Sequence, residues 1–273
     1  MNEPIIEDIV TYCEKRFAFP ELLHSDYFQK YRRGYYFSCE NGLLSWHRNY
    51  VNLLTFLDEI REYNEQHAKS FVKRLRESSN HWKNCEAIFS EIIVYHYYIR
   101  AAYEGLIRKL ELDKTESDII IERLDNTKAY LEVFCVMPSF PLPENGKVVA
   151  CDVKTHTQIE KASIRQKLLR KIVKQKQLLK PRENYAIIEL NDLSIAGDFS
   201  VLSSLSSGYT VTINKRTMQV EASGYNWENS IFEDKSTGFI KAIIYFDLGN
   251  YGSRKFLFNP NFFMPNNSDE TTP

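Results

Sequence analysis

Apolar residues recur at helical spacing through the first part of the chain, residues 1–83, and predict a mainly helical region. A short helix is expected over residues 5–16 and a longer one over residues 50–77. The apolar positions of the longer helix, with charged residues between them, are Val51, Leu54, Leu57, Ile60, Phe71 and Leu75. Residues 20–42 combine aromatic residues with turn formers, which indicates an irregular stretch between the two helices.

The pattern changes in residues 84–190, where helical and strand-like segments follow one another. A helix over residues 87–104 ends at Gly105, and a long basic helix is stopped by Pro181. Strands are expected at residues 106–112, 117–124, 129–137 and 185–190, with the basic helix at 157–179 before the last of them. The order helix, strand, strand, strand, helix, strand (α-β-β-β-α-β) predicts an α/β core built on a mixed sheet.

Residues 191–266 are rich in strand patterns and are expected to extend this core, while residues 267–273 form a frayed tail. The expected elements are a short helix at 199–208, paired strands at 209–215 and 217–223, and a hairpin of 238–249 with 254–259. The chain is therefore interpreted as one α/β core with a helical N-terminal addition and a strand-rich C-terminal addition.

The composition indicates a folded protein but does not indicate a function. The chain has 273 residues, is 43% hydrophobic and carries a net charge of −1, so a large folded core is expected and charge alone does not indicate a nucleic-acid partner. Its five cysteines include no CxxC pair, which argues against a disulfide framework or a structural zinc site. No signal peptide and no membrane span are recognised, and the expected location is the cytoplasm.

Three acidic residues stand out in the predicted core. Glu91 lies at the edge of the apolar stripe of the helix over 87–104, Asp118 begins the strand before three isoleucines, and Glu132 lies inside the most apolar strand. A carboxylate among apolar neighbours needs a cation of the chain, a bound metal or a raised pKa. Each acid taken alone also fits an ordinary structural role, as a salt bridge to a lysine or a strand cap.

This order of elements, with Glu91, Asp118 and Glu132, resembles the PD-(D/E)XK nuclease superfamily and its restriction-endonuclease-like fold. The resemblance covers about 105 residues and rests on a short, degenerate motif. It implies that Asp118, Glu132 and Glu91 bind Mg²⁺ (or Mn²⁺), which activates a water and stabilises the charge on the phosphodiester being cut.

The motif departs from the family at its lysine, because Phe134 stands two residues after Glu132. Either another residue supplies the missing cation or the site is catalytically inactive. Some families of this superfamily carry the lysine on the second core helix, and Lys176 is our first candidate there. Lys174 of the same helix and Lys154, which precedes the helix, are the further candidates.

The long basic helix and its flank, residues 157–182, contain nine Lys or Arg residues and one acid, Glu160. Four cations gather opposite the apolar stripe: Lys167, Arg170, Lys171 and Lys174. They are interpreted either as a surface that follows the phosphates of DNA or as an ordinary solvated helix face.

The leading hypothesis is a metal-dependent nuclease that hydrolyses phosphodiester bonds in DNA. The alternative keeps the fold without the chemistry: an inactive nuclease-like module that binds nucleic acid or a protein. A third hypothesis is a structural protein that uses its aromatic N-terminal surface. No membrane partner is expected, and homodimer formation is left open.

Overall fold

The fold is taken from a computed structural model of the chain. It describes residues 3–42, 48–113, 115, 117–136, 178, 180–190, 209–214, 216, 217, 219–225, 230–233, 235–246 and 254–262. Within these residues the protein is α/β, with five α-helices and a mixed sheet of six strands.

The helices occupy the first part of the chain. They are α1 (Glu3–Arg16), α2 (Asp26–Glu40), α3 (Tyr50–Tyr63), α4 (Glu65–Glu77) and α5 (Trp82–Tyr103). Polar side chains at their first turns fix where three of them begin: Ser25 accepts from the backbone of Phe28, and Asn49 accepts from the backbone of Asn52. Asn64 caps α4 in the same way through the backbone of Gln66 and His67.

Two expectations for this region are wrong. The single helix over residues 50–77 is two helices, because Asn64 leaves the helical conformation to end α3 and to cap α4. The stretch over 20–42 is mostly regular, since α2 fills residues 26–40 and buries Tyr27, Phe28 and Tyr35 against its neighbours. Several aromatic residues of this stretch are therefore packing residues of a helix.

The strands follow the helices. They are β1 (Lys109–Asp113), β2 (Ser117–Glu122), β3 (Lys128–Val136), β4 (Asn184–Leu190), β5 (Tyr209–Ile213), β6 (Val220–Tyr225), β7 (Ile240–Phe246) and β8 (Arg254–Phe258). The six-stranded sheet has the order β1-β2-β3-β4-β7-β8, and β5 and β6 form a separate antiparallel hairpin. Strands β3, β4 and β7 are parallel, whereas β1, β2 and β8 run antiparallel to their neighbours.

The expected helix, strand, strand, strand and final strand of the core are present as α5, β1, β2, β3 and β4. The first strand begins at Lys109, later than expected, because residues 104–108 lead out of the helix through Gly105 in a left-handed conformation. The predicted pairing of the two C-terminal hairpins is confirmed. The expected helices at 157–179 and 199–208 lie outside the described residues, apart from Leu178.

The two faces of the sheet are both covered. Residues that face the helices join them in one apolar core, and on the sheet these include Ile119, Leu131, Val133, Ile187 and Ile244. The residues that alternate with them are buried as well, including Ile120, Phe134, Ile188 and Ile243. The N-terminal helices thus share a core with the sheet. None of the described helices is long and apolar enough to cross a membrane.

Candidate functional site

Asp118 lies where β2 and β3 separate. The two strands are paired from Ile119 to Glu122, and Asp118 precedes the first of these pairs. Its carboxylate Oδ2 accepts a hydrogen bond of 2.9 Å from the backbone N–H of Val133, so a side-chain oxygen takes the place that a strand carbonyl would otherwise occupy. This bond fixes the Asp118 carboxylate against the backbone of β3.

Glu132 lies on β3 immediately before Val133 and is 1% exposed. In the antiparallel register, in which Ile119 is opposite Leu131, the residue opposite Glu132 is Asp118, so the two carboxylates share one face of the sheet. Phe134 follows on the same face and is also buried. The structure therefore brings Asp118 and Glu132 together on neighbouring strands, with an aromatic ring at the position of the motif lysine.

Glu91 has different surroundings. Both of its oxygens accept from the guanidinium of Arg74 on α4, in a two-pronged ion pair with distances of 2.6 Å. Glu91 and Arg74 lie between two helices of the layer that packs on the opposite face of the sheet from Asp118 and Glu132. The structure thus places Glu91 apart from the two strand carboxylates and pairs it with a cation.

The remaining predicted site residues cannot be placed in the fold. Those on the basic helix, together with Lys154, lie outside the described residues: Lys167, Arg170, Lys171, Lys174 and Lys176. Among the residues that are described, no group of three or more Asp, Glu, His and Cys side chains is arranged to hold a metal ion. A metal site built on Asp118 and Glu132 consequently stays a prediction.

The largest buried charge cluster of the described structure is one that the sequence pattern does not predict. Arg48, just before α3, forms ion pairs with Glu86 of α5 and Glu189 of β4, and all three side chains are at most 5% exposed. The Arg48 guanidinium also donates to Ser90 Oγ at 2.6 Å, and Ser90 donates to Glu189 at 2.7 Å. We call Arg48, Glu86, Ser90 and Glu189 the Arg48 cluster.

Two tyrosines of α2 complete the surroundings of Glu86. The hydroxyls of Tyr27 and Tyr31 donate to Glu86 Oε1 at 2.9 and 2.7 Å. The cluster therefore connects α2, the start of α3, α5 and the sheet by charge-assisted hydrogen bonds. Because the residues of the cluster come from elements that are distant in sequence, no local sequence motif predicts it.

Burial controls the acid–base properties of the Arg48 cluster. Removal from water raises the pKa of Glu86 above its ordinary value, although Arg48 and the two tyrosine hydroxyls act in the opposite direction. Burial also raises the pKa of the nearby Cys135 thiol to about 12, which keeps this cysteine in its unreactive thiol form. The cluster is chemically suited to holding the fold together and poorly suited to nucleophilic catalysis.

Comparison with protein-family models, with curated proteins and with solved structures finds no match for this chain. The functional argument therefore depends on the residues of the chain itself.

Proposed function

We propose that this chain is a metal-dependent nuclease that hydrolyses phosphodiester bonds in DNA and has a restriction-endonuclease-like core, with Asp118 and Glu132 as its metal-binding carboxylates. The observation that supports this most directly is the hydrogen bond from the Val133 N–H to Asp118, which holds one carboxylate beside Glu132 at the point where β2 and β3 separate. The sequence of α5, β1, β2, β3 and β4, with β3 parallel to β4, agrees with the proposed fold.

The two carboxylates fit a magnesium ion better than a metal that needs a complete protein cage. Mg²⁺ is commonly held by one or two carboxylates, with waters and substrate phosphates completing its coordination. When bound, such an ion offsets the negative charge that develops on the phosphate. The chain's own contribution is to orient the carboxylates and to limit access of solvent. The Val133 N–H holds Asp118 in place, and the burial of Glu132 excludes bulk water. We leave Glu91 out of this pair because Arg74 binds both of its oxygens.

The basic helix belongs to this proposal as the DNA-contacting element. Reversing the charges of Lys167, Arg170, Lys171 and Lys174 together is expected to weaken DNA binding. It is also expected to reduce the slope of log K against log salt by about one unit for each phosphate that the variant no longer neutralises. Unchanged binding by this variant would remove the helix from the proposal.

A second candidate function is favoured by Phe134. This ring is 4% exposed on the same strand and face as Glu132, and an apolar ring cannot orient a water or stabilise a phosphorane as an ammonium group does. The candidate is a catalytically inactive module that keeps the fold and binds nucleic acid or a protein partner.

The experiment compares Asp118→Asn and Glu132→Gln with Glu122→Gln, a matched control because Glu122 lies at the opposite end of β2 and forms an ion pair with Arg108. Purified protein is incubated with single- and double-stranded DNA and RNA in Mg²⁺, Mn²⁺ or a chelator. The nuclease proposal expects metal-dependent DNA cleavage that falls by at least about 100-fold in the two site variants and is unchanged in the control.

Thermal unfolding with and without Mg²⁺ separates the two candidates. A nuclease site is expected to give a metal-dependent increase in melting temperature for the wild type that Glu132→Gln loses. Binding of DNA without cleavage and without metal stabilisation would support the inactive module. Absence of both nucleic-acid binding and cleavage would contradict the nuclease, and it would leave the inactive module only in its protein-binding form.

A further inference from the structure

A cavity of about 210 Å³ opens at the end of the helical layer, between the C-terminal end of α5 and strands β2, β3, β4 and β7. Its floor is aliphatic and buried, and is formed mainly by Ile121, Leu131 and Ile244. Its rim carries two large apolar side chains that remain exposed, Leu106 at 64% and Phe256 at 40%. A pocket with an apolar floor and an exposed apolar rim is typical of a site that binds a partly apolar molecule.

The edge of this cavity carries a cation that no described carboxylate neutralises. The Arg254 guanidinium donates to the hydroxyl of Tyr98, which lines the cavity, at 3.2 Å. It lies 4.5 Å from the ring centre of Tyr97 and 5.3 Å from that of Phe256. Arg254 forms no ion pair with any residue that the structure describes.

A second arginine, Arg123, differs from Arg254 because it is paired with a carboxylate. Arg123 also lines the cavity, but its guanidinium is paired with Glu183, which in addition accepts from Lys241 at 3.0 Å. Among the described residues, the cavity therefore has one cation that contacts aromatic rings and no carboxylate, and a second that is paired with a carboxylate. This arrangement is complementary to a ligand whose negative group binds at Arg254.

We infer that this cavity is a binding site for a small amphipathic anion, with a flat apolar body against Leu131 and Ile244 and a carboxylate, sulfonate or phosphate group at Arg254. Phe258, which is 66% exposed and stacks on Phe256 at 5.9 Å, extends the apolar surface beyond the rim. The site lies on the face of the sheet that the helices cover, opposite Asp118 and Glu132, so it is independent of the proposed nuclease function.

Two dyes of nearly the same shape test the inference on the full chain. The first, 1-anilinonaphthalene-8-sulfonate, carries the negative charge, and the second, N-phenyl-1-naphthylamine, lacks it. Saturable fluorescence binding of the anionic dye at one site per chain is expected. Arg254→Gln is expected to weaken binding of the anionic dye about tenfold or more, because it removes a charge-assisted hydrogen bond. Binding of the neutral dye is expected to change less than about twofold.

Ala129→Leu fills the cavity from β3 and is expected to weaken both dyes, while Arg216→Gln, an exposed change on the β5–β6 hairpin, is expected to affect neither. Phe256→Ala tests the rim independently if Ala129→Leu fails to fold. Absence of saturable binding, or equal binding of the anionic dye by wild type and Arg254→Gln, would overturn the inference. So would a stable dimer in analytical ultracentrifugation that binds neither dye and becomes a dye-binding monomer on Phe258→Ser, because a second copy would then occupy the site.

Discussion

Glu132 and Glu189 lie on the neighbouring parallel strands β3 and β4, and both are almost completely buried, but they belong to opposite faces of the sheet. Glu189 faces the helical layer, where Arg48 and Ser90 bind its oxygens. Glu132 faces the other way, beside Asp118, whose described contact is a backbone N–H of β3.

The two regions differ in which parts of the chain supply their described partners. The Arg48 cluster joins the segment just before α3 to α5 and β4, and the tyrosines of α2 bind it, so its hydrogen bonds link residues that are distant in sequence. The pair formed by Asp118 and Glu132 is positioned by two adjacent strands. Burial alone therefore does not separate a structural carboxylate from a candidate catalytic one, and the two regions differ in the described partners that their carboxylates bind.

Removing the central cation gives the strongest test of this comparison. Arg48→Met leaves Glu86 and Glu189 buried without their guanidinium, and we expect the free energy of unfolding to fall by about 3–5 kcal/mol. Urea denaturation measures the loss. Arg76→Met is the matched control, because its ion pair with Glu21 is exposed and is expected to contribute only about 0–1 kcal/mol.

Substitution in the pair formed by Asp118 and Glu132 is expected to change the free energy of unfolding much less. Asp118→Asn keeps a side-chain oxygen for the Val133 N–H, so its effect on the free energy of unfolding is expected to stay within about 1 kcal/mol. If Arg48→Met does not fold, Arg48→Lys keeps the charge without the planar fork and is expected to show an intermediate loss. A loss with Arg48→Met that is no larger than with Asp118→Asn would contradict the distinction between the two regions.

The next prediction tests whether Glu91 is a structural residue or a third acid of the site formed by Asp118 and Glu132. We expect a double-mutant cycle of Glu91→Gln and Arg74→Gln to give a coupling free energy of about 1–3 kcal/mol, because the two-pronged pair is mostly buried. The same cycle on Glu65 and Lys69, exposed on α4, is expected to give a much smaller coupling, because solvent screens this pair. Equal coupling in the two cycles would return Glu91 to the list of candidate metal ligands.

The sequence is sufficient to predict α5, β1, β2, β3 and β4 in their order and to place Asp118 on β2 and Glu132 on β3, because these depend on local periodicity. Glu189 shows the same pattern as Glu132, an acid inside an apolar strand, so residues 185–190 carry a signal for it as well. Arg48 has no comparable signal, since the two carboxylates that pair with it are 38 and 141 residues away in the chain. Pairing over such distances is decided by tertiary packing and leaves no periodic trace.

The helix boundaries also show which sequence signals are informative. Asn64 lies within an otherwise continuous helical pattern, and an asparagine there is an N-cap as readily as a helix residue. In α2, Ser25 followed by apolar residues at helical spacing is a start signal that the aromatic composition obscures. Capping residues are therefore more informative here than composition, because a cap satisfies particular backbone groups.

The smallest effect that we expect is a pH dependence of the free energy of unfolding. It tests whether the negative charge of the carboxylates in the Arg48 cluster exceeds the positive charge of Arg48. Burial raises the pKa of Glu86, so the folded protein binds a proton more tightly than the unfolded chain does. The contribution of Glu86 to stability is then fully present below the ordinary glutamate pKa and is lost as the pH rises through the raised value.

Glu183 provides the opposite case within the same chain. Burial acts to raise its pKa, but hydrogen bonds from Tyr185, Arg123 and Lys241 outweigh burial and hold the pKa below the ordinary value. The contribution of Glu183 to stability is present above the ordinary glutamate pKa and is lost as the pH falls through the lowered pKa.

The measurement is the free energy of unfolding from about pH 4 to about pH 8. We expect the difference between wild type and Glu86→Gln to decrease as the pH rises. The corresponding difference for Glu183→Gln is expected to decrease as the pH falls. Two curves with the same sign would mean that Arg48 fully compensates Glu86, and that the cluster contains no surplus carboxylate.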